Sequence, residues 1–472
     1  MAHRGLVVLA PLLAAATNPL VPHTGMADPH VHVFNGTLYM YSTHDLIEQG
    51  ASGCCGGDWW IWTAPYPGGP WTNVSSQGLP AWTPESLKET NSLWATDAAE
   101  HKGRYYWYVS IGGKQIAVFE ADAPTGPWRD PLGDFLLANG SSLSPPTNIR
   151  DPGVLRDDDG RHYIVFGACD GANQPDDACY YAAELHDDMI SYEPPRHLSV
   201  KGVLGHFGYG KADDKPFLHK RGDLYYLSWG CFYATASEVF GPYQYKGCII
   251  EADLVEEAFM VGNQTAERFS HHIYYDRHSS FVEHLGQWYF YSNDYSHSDA
   301  PTGGFRDTVA AFVHYRDDGT IAPVEITAAG VGPRDARAPL PAEQYHRVDG
   351  ARTTQGGSTT GFVVGDVADG AAVAYRVDRA SLGGSVALNL TFANGGECAG
   401  AATLAVAGTP LATCALAPTG AWDMYATVAC GAALGAAALA APASADGAVD
   451  VAVSFAGCGG AAFAKLDTLT FA

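Results

Sequence analysis

An all-β chain in two parts is predicted by three features of the sequence. A hairpin pattern recurs five times before residue 326, a Gly-Pro-aromatic motif follows three of the copies, and the composition changes abruptly afterwards. The five segments are PHVHVFNGTLYMYSTHD, DAAEHKGRYYWYVS, DPGVLRDDDGRHYIVFG, DKPFLHKRGDLYYLSWG and SSFVEHLGQWYFYSND. Each holds a short alternating strand, a polar turn with Gly, and an aromatic strand. Period-two alternation of aromatic and β-branched residues suits strands. Gly in the turn supplies the positive φ that tight hairpins need.

The turn glycines Gly36, Gly103, Gly160, Gly222 and Gly286 recur every 57 to 67 residues. A unit of that length holds a four-stranded sheet. Five such units are within the range that closes into a propeller, and closure protects the sheet edges. The echoes GGPWTN (68–73), TGPWRD (125–130) and FGPYQY (240–245) read as turns entering one more strand. An unclosed run of hairpins or a β-sandwich is the plainer alternative, but few folds repeat a hairpin at this period.

After residue 326 the chain is rich in Ala, Gly, Val and Thr, with one Lys (Lys465) and one Trp (Trp422). VALNLTFA and VDVAVSFAG alternate cleanly between Gly-rich turns, as in a β-sandwich. GAALGAAALAAPASADGA (431–448) has a helical composition but alternating flanks, and is read as strand and loop. The expected organisation is a five-bladed β-propeller over 24–325, a linker over 326–342 and a jelly-roll β-sandwich over 343–472.

The formal net charge of -24, with only 27 Lys and Arg, argues against nucleic acid and anionic membranes as partners. A neutral or cationic partner is the more plausible, and a monomeric chain is expected. No later stretch carries 18 consecutive apolar residues. The opening MAHRGLVVLAPLLAAAT resembles a secretory signal within residues 1–20. Sequons at Asn35, Asn73, Asn139, Asn263 and Asn389 agree with a secreted, extracellular location. The ten cysteines form no C-x-x-C, so disulfides are a better reading than zinc, with the pairing left open. Ten of the eleven Trp precede residue 300. They are either core or the walls of a sugar cleft. Trp59, Trp60, Trp94 and Trp229 are the stacking candidates. The loop 48–62, which holds Cys54 and Cys55, would wall a pocket.

Three repeats open with Asp: Asp28 in MADPH, Asp151 in IRDPG and Asp214 in DDKPF; Asp97 in ATDAA takes the same place in the second. On a propeller these strand starts would converge at one end of the axis. Neighbouring carboxylates drive their pKa values apart, and an acid–base pair of carboxyl groups is what glycosidic bond cleavage needs. For a lone Asp-Pro a turn cap is the better reading; three in register favour chemistry. His278, leading the fifth repeat, would lie near the axis and could hold a metal or water. Arg306 in GGFRDTV could hold a carboxylate by a bidentate pair. No nucleophile elbow, P-loop, zinc-protease or dinucleotide fingerprint in context is present, and DDDG at 157–160 reads as a turn rather than a calcium loop.

These segments, in this order over about residues 24–325, resemble glycoside hydrolase family 43, whose members are five-bladed propellers acting on xylose- and arabinose-containing glycans. The resemblance implies an inverting hydrolase, an α-L-arabinofuranosidase or β-xylosidase, needing no cofactor for the chemistry. It makes Asp28 the general base and Asp151 the acidic residue that orients the acid and tunes its pKa. The family's acid is usually Glu in a Glu-Gly-Pro motif; Asp213-Asp214-Lys215-Pro216 stands there, which puts Asp214 in the acid's place. His278 matches an axial His that often contacts calcium through water. Trp94, Trp229 and Arg306 are the expected substrate contacts. The C-terminal part resembles a family 6 type carbohydrate-binding module, with Glu343 and Asp467 as ligands of a structural calcium and Trp422 as the sugar platform. The alternatives are a non-catalytic glycan-binding protein and a family 43 hydrolase acting on galactan or another non-pentose glycan.

Overall fold

The computed structural model describes residues 18–46, 56–88, 92–168, 178–202, 215–259, 278–296, 305–357, 359–431, 433–442 and 444–472. Residues 1–17, the cysteines Cys54, Cys55 and Cys169, and the Asp213–Asp214 pair lie outside them. The chain is all-β, and no helix among the described residues is long and apolar enough to cross a membrane. It divides into two compact units, one over Asn18–Val331 and one that takes in Gly332–Ala472.

In the first unit each recurring segment is an antiparallel hairpin. Phe34 pairs with Thr37, His101 with Arg104, Arg221 with Leu224 and His284 with Gln287, so four turns have two residues. The third hairpin closes Arg156 on His162 through the longer DDDGR turn. All five turn glycines have positive φ, and Asn35, Lys102 and Leu285 before three of them do as well. Two successive positive φ values make the turn that matches the right-handed twist of paired strands.

Further strands extend the hairpins into five sheets. The first has Met26–Phe34, Thr37–His44, Asp58–Ala64 and Thr72–Gly78, hydrogen-bonded in that order. The second has Thr96–His101, Arg104–Ile111 and Gln115–Ala121. Gly153–Arg156, His162–Phe166, Tyr181–Leu185 and Arg196–His197 make the third. Phe217–Arg221, Leu224–Trp229, Phe232–Ala236 and Tyr243–Cys248 make the fourth, with Val200–Lys201 added in parallel to its last strand. Ser279–His284, Gln287–Asp294 and Asp307–Val313 make the fifth. The first strand of each sheet lies against the first strand of the next, and the fifth sheet's lies against the first sheet's.

The two ends of this unit are fastened together. Asn18 N–H donates to Ala328 O, and its side-chain amide exchanges hydrogen bonds with Ala310. The buried Asp307 carboxylate accepts from the backbone N–H groups of His23, Thr24 and Gly25 at 2.8–3.2 Å. Hydrogen bonds to a charged acceptor contribute about 1.5–3 kcal/mol each, so one side chain fixes the chain's entry to its last sheet.

The second unit has two antiparallel sheets. One runs Arg352–Gln355, Phe362–Val367, Ala464–Phe471, Ala387–Ala393, Tyr425–Gly431, with Leu340–Pro341 on Ala464–Phe471; the other runs Arg347–Asp349, Ala372–Asp378, Ala448–Ala456, Gly400–Val406, Thr409–Leu416. Val364, Leu390 and Leu466 of one share a core with Tyr375, Leu404 and Val451 of the other. Disulfides join Cys398 to Cys458 and Cys414 to Cys430. The 431–448 segment departs from expectation. It contains a helix, Leu434–Ala440, where Ala-rich composition prevails and Leu434 and Ala438 bury one face.

His219 is buried between the fourth and fifth sheets. Its ring lies 4.6 Å from that of Tyr226 and 4.3 Å from that of Phe281, and its Nε2 is 2.8 Å from the Tyr315 hydroxyl. Burial pushes its pKa down to about 3, and that of His314 to about 4. Both are depressed from the ordinary value of about 6.5. Their contribution to stability is therefore fully present above pH ~6.5 and is lost as pH falls toward 4 and below. The melting temperature of the chain should fall across that window, and His219→Phe should flatten the fall. An unchanged slope in calorimetry of the variant from pH 7.5 to 4.5 would refute the assignment.

Candidate active site

Asp28, Asp151 and Lys215 each precede a Pro at the start of a first strand, and each has positive φ: 49, 54 and 65°. Non-glycine residues adopt this region at a cost, and such strain collects at functional positions. The pre-proline place in the fourth sheet thus belongs to Lys215, and Asp214, one residue earlier, lies outside the described residues. Asp97 does not share the level of Asp28. The first strand has a bulge between Ala27 and His30, and counting back from the hairpin turns sets Asp97 level with His30.

Asp28 is 1% exposed and ringed by donors. Arg306 Nη1 reaches its Oδ1 at 2.6 Å and Asn293 Nδ2 the same oxygen at 2.8 Å, while Asp28 N–H donates to Asn293 Oδ1 at 2.7 Å. His278 Nδ1 lies 3.5 Å from Oδ1. Burial acts to raise the pKa, but Arg306, His278 and Asn293 together outweigh it and hold the carboxyl well below the usual carboxylate range.

Arg306 makes a bidentate pair, but with Asp45 rather than with Asp28. Nε meets Asp45 Oδ2 at 2.8 Å, Nη2 meets Oδ1 at 2.9 Å, and Arg306 N–H donates to Oδ2 at 2.9 Å. Its remaining arm is the one on Asp28. Sequence reasoning missed Asp45; its one signal was that it is charged and directly follows the aromatic strand Thr37–His44.

A column of side chains runs on from Asp28 through the middle of the unit. His278 Nε2 is 2.8 Å from His30 Nε2, His30 Nδ1 is 3.2 Å from Asp97 Oδ1, and His32 Nε2 is 2.5 Å from the same oxygen. Asp97 Oδ2 also accepts from Val154 N–H at 2.6 Å. Burial raises and the two histidines lower the Asp97 carboxyl, with a net fall well below the usual range. Nε2 of His278 thus faces His30 and Nδ1 faces Asp28, but Nδ1 makes no hydrogen bond among the described residues.

Asp151 is 2% exposed and tied to two neighbouring sheets. Its Oδ1 accepts from Ala95 N–H and its Oδ2 from Lys215 N–H, both at 3.1 Å, and its own N–H donates to Ser110 Oγ at 2.9 Å. Trp94, half-buried beside Ala95, carries the Arg150 guanidinium 5.0 Å from its ring centroid. Trp229 and Trp59 are core residues, 1% and 0% exposed, so neither offers a face to a sugar. Trp60, half-buried, is stacked against His44 at 3.5 Å.

In the second unit Trp422 is 38% exposed, with Lys465 Nζ 5.9 Å from its ring centroid. Glu343 and Asp467 are buried; Thr360 Oγ1 donates to Glu343 Oε1 at 2.5 Å and Thr359 Oγ1 to Asp467 Oδ2 at 3.1 Å. This all-oxygen donor set fits a hard cation such as calcium.

A buried carboxylate held ionised by an arginine, beside a second carboxylate at the same end of the strands, defines the kind of site that hydrolyses glycosidic bonds. The model for glycosyl hydrolases family 43 matches residues 77–321, more than half of the chain, and the chain belongs to that family. It is an O-glycosyl hydrolase. A xylosidase/arabinosidase of Bacteroides ovatus is 26% identical over 65% of this chain and 97% of its own length. An arabinoxylan arabinofuranohydrolase of Paenibacillus polymyxa is 25% identical over 67% of this chain but only 52% of its own length. Among solved structures, a Bacillus subtilis arabinoxylan arabinofuranohydrolase in complex with cellotetraose matches 97% of this chain and 99% of its own, at TM-score 0.53 and 20% identity. A Xanthomonas citri family member complexed with xylotriose matches 67% and 97%, at TM-score 0.50 and 25% identity.

Asp45 touches the Arg306 that touches Asp28, so it acts by position. Asp45→Asn should lower kcat on aryl glycosides on the order of 10²-fold with a smaller change in KM. It should also raise the acidic limb of the pH profile, because a loosened Arg306 depresses Asp28 less. Wild-type kcat with an unmoved limb would rule the role out.

Proposed function

We propose that the chain is an inverting hydrolase of arabinose- or xylose-containing glycans, with Asp28 as general base. The single observation that carries this is the Asp28 carboxylate, buried, ionised and held by Arg306. The names of the Bacteroides and Paenibacillus relatives support the substrate class. In the proposed reaction Asp28 takes a proton from a water, which attacks the anomeric carbon from the face opposite the leaving group. Asp214 gives a proton to the departing oxygen. Asp151, anchored by two backbone N–H groups, orients that acid and tunes its pKa. Lys215 stands at positive φ where the family's Glu-Gly-Pro motif has Gly, which keeps the backbone shape that motif requires. Arg306 positions Asp28, and Trp94 is the aromatic face for the sugar.

The five sheets, with first strands neighbouring one another in a closed cycle, support a five-bladed propeller over 24–325. The stretch 326–342 expected as a linker is instead divided between the two units, with Ala328 accepting from Asn18 N–H and Leu340–Pro341 paired with Ala464–Phe471. Two sheets sharing one core support a β-sandwich over 343–472 of the family 6 carbohydrate-binding type, with Trp422 as platform. Glu343 and Asp467 would hold a structural calcium there. The N-terminal segment and sequons support a secreted protein.

The test is hydrolysis of aryl α-L-arabinofuranosides and β-D-xylosides, with the product anomer followed by NMR. Asp28→Asn should cost about 10²–10⁴-fold in kcat, and the first-formed sugar should have inverted configuration. Retention, or full activity of Asp28→Asn, would overturn the mechanism. A chelator should leave kcat unchanged and lower the melting of the C-terminal unit; loss of kcat with no change in melting would place the calcium at the axis instead.

A further inference from the structure

A second cavity lies at the opposite ends of the strands that carry Asp28 and Asp151. It has a volume of about 470 Å³ and is formed where the first three sheets meet. It lies at the turn ends of Met26–Phe34, Thr96–His101 and Gly153–Arg156. Asn35 at its rim is seven residues along the strand from Asp28, roughly 23 Å at about 3.3 Å per residue. The volume falls within the roughly 300–1,000 Å³ typical of small-molecule sites. No step of the proposed hydrolysis uses it.

The lining has a definite chemistry. Phe34 and Tyr105 give aromatic surface, their rings 5.2 Å apart. Glu100 offers acceptors and Arg156 donors, and the two lie 3.9 Å apart, so the wall carries both signs rather than one. His162 is 2% exposed, and its Nε2 has no hydrogen-bond partner among the described residues. Burial lowers its pKa to about 4, which leaves the ring neutral at working pH, with a nitrogen able to donate or accept according to tautomer. A buried polar atom without a partner is costly. His32, already held by Asp97, completes the wall.

We propose that this cavity is a second carbohydrate-binding site that takes a single neutral sugar unit. Aromatic surface for the apolar face of a ring, mixed donors and acceptors for its hydroxyls, and balanced charge are the features that recognise such a ligand. A chain with net charge -24 disfavours an anionic occupant. The proposal rests on the reading of the protein as a pentose-glycan hydrolase, and it adds a site remote from the reacting bond.

The test compares the full chain carrying Asp28→Asn with the same chain also carrying Glu100→Gln and Arg156→Ala, two solvent-facing changes. Xylotriose and L-arabinose are titrated calorimetrically into each. The expected result is loss of one binding event, or at least a tenfold weaker one, in the second protein. Glu100→Gln/Arg156→Ala placed in the wild-type chain should hydrolyse aryl glycosides within twofold of normal. Identical isotherms with hydrolysis intact would overturn the second site alone. Absence of sugar binding in both proteins, with no hydrolysis by the wild type, would overturn the pentose-glycan reading along with it.

Discussion

The buried Arg306 guanidinium, shared between Asp45 and Asp28, is the interaction on which the rest of the site depends. It lies at the junction of the first and fifth sheets, just before Asp307–Val313. Three fully desolvated charges are expensive to assemble, and such a group rarely adds net stability over an apolar equivalent. Removing one member, however, strands the others, at about 3–5 kcal/mol. Its value is geometric. A bidentate grip by Asp45 leaves the guanidinium plane only one free arm, and that arm meets Asp28 Oδ1. The carboxylate is thereby held ionised and oriented without direct access of solvent to the pair.

The histidine column extends the same logic through the middle of the unit. When two Nε2 atoms lie 2.8 Å apart, one must donate and the other accept. The tautomers of His30 and His278 are therefore coupled. If His30 presents Nδ1–H to Asp97, its Nε2 accepts and His278 Nε2–H donates. Asp97 is held in turn by His32 and Val154 N–H, so a column of close polar contacts runs from the carboxylate end of the strands to the cavity at their turn ends.

The hairpins were legible because two-residue turns demand positive φ, and Asn35-Gly36, Lys102-Gly103 and Leu285-Gly286 announce it. Asp28 and Asp151 were legible because Asp-Pro recurs eight or nine residues before the turn glycine. Asp97 was assigned the wrong level although it stands six residues before Gly103 and Asp28 eight before Gly36; the bulge at Asp28–Pro29 accounts for one residue of that difference. Asp45 could not be picked out, since its meaning lies in a contact 261 residues away. Arg306 was expected to grip a carboxylate, but the choice between two buried ones is decided by backbone geometry. Trp229 and Trp59 looked like sugar platforms because composition counts aromatic rings without saying which sheet covers them. Leu434–Ala440 was read as extended because alternating flanks outweighed a run of alanines whose own preference was helical.

The carboxylates that resemble the family's chemistry also hold the sheets together, and the two roles use the same atoms. Asp28 joins the first sheet to the fifth through Asn293 and Arg306. Asp97 joins the second to the first through His30 and His32, and to the third through Val154. Asp151 joins the third to the second through Ala95 and to the fourth through Lys215. Four of the five seams are thus stitched by a buried carboxylate near a strand start. The seam between the fourth and fifth sheets has no such carboxylate among these residues; there the aromatic rings of Phe217, His219 and Phe281 pack together. A closed cycle of sheets needs acceptors at its crowded inner end, because the backbone N–H groups there have no ladder partner. Carboxylates fill that need with two oxygens each, and any that face a substrate are already buried, oriented and ionised. On this view the cost of burying and orienting the Asp28 carboxylate is largely met by closing the ring.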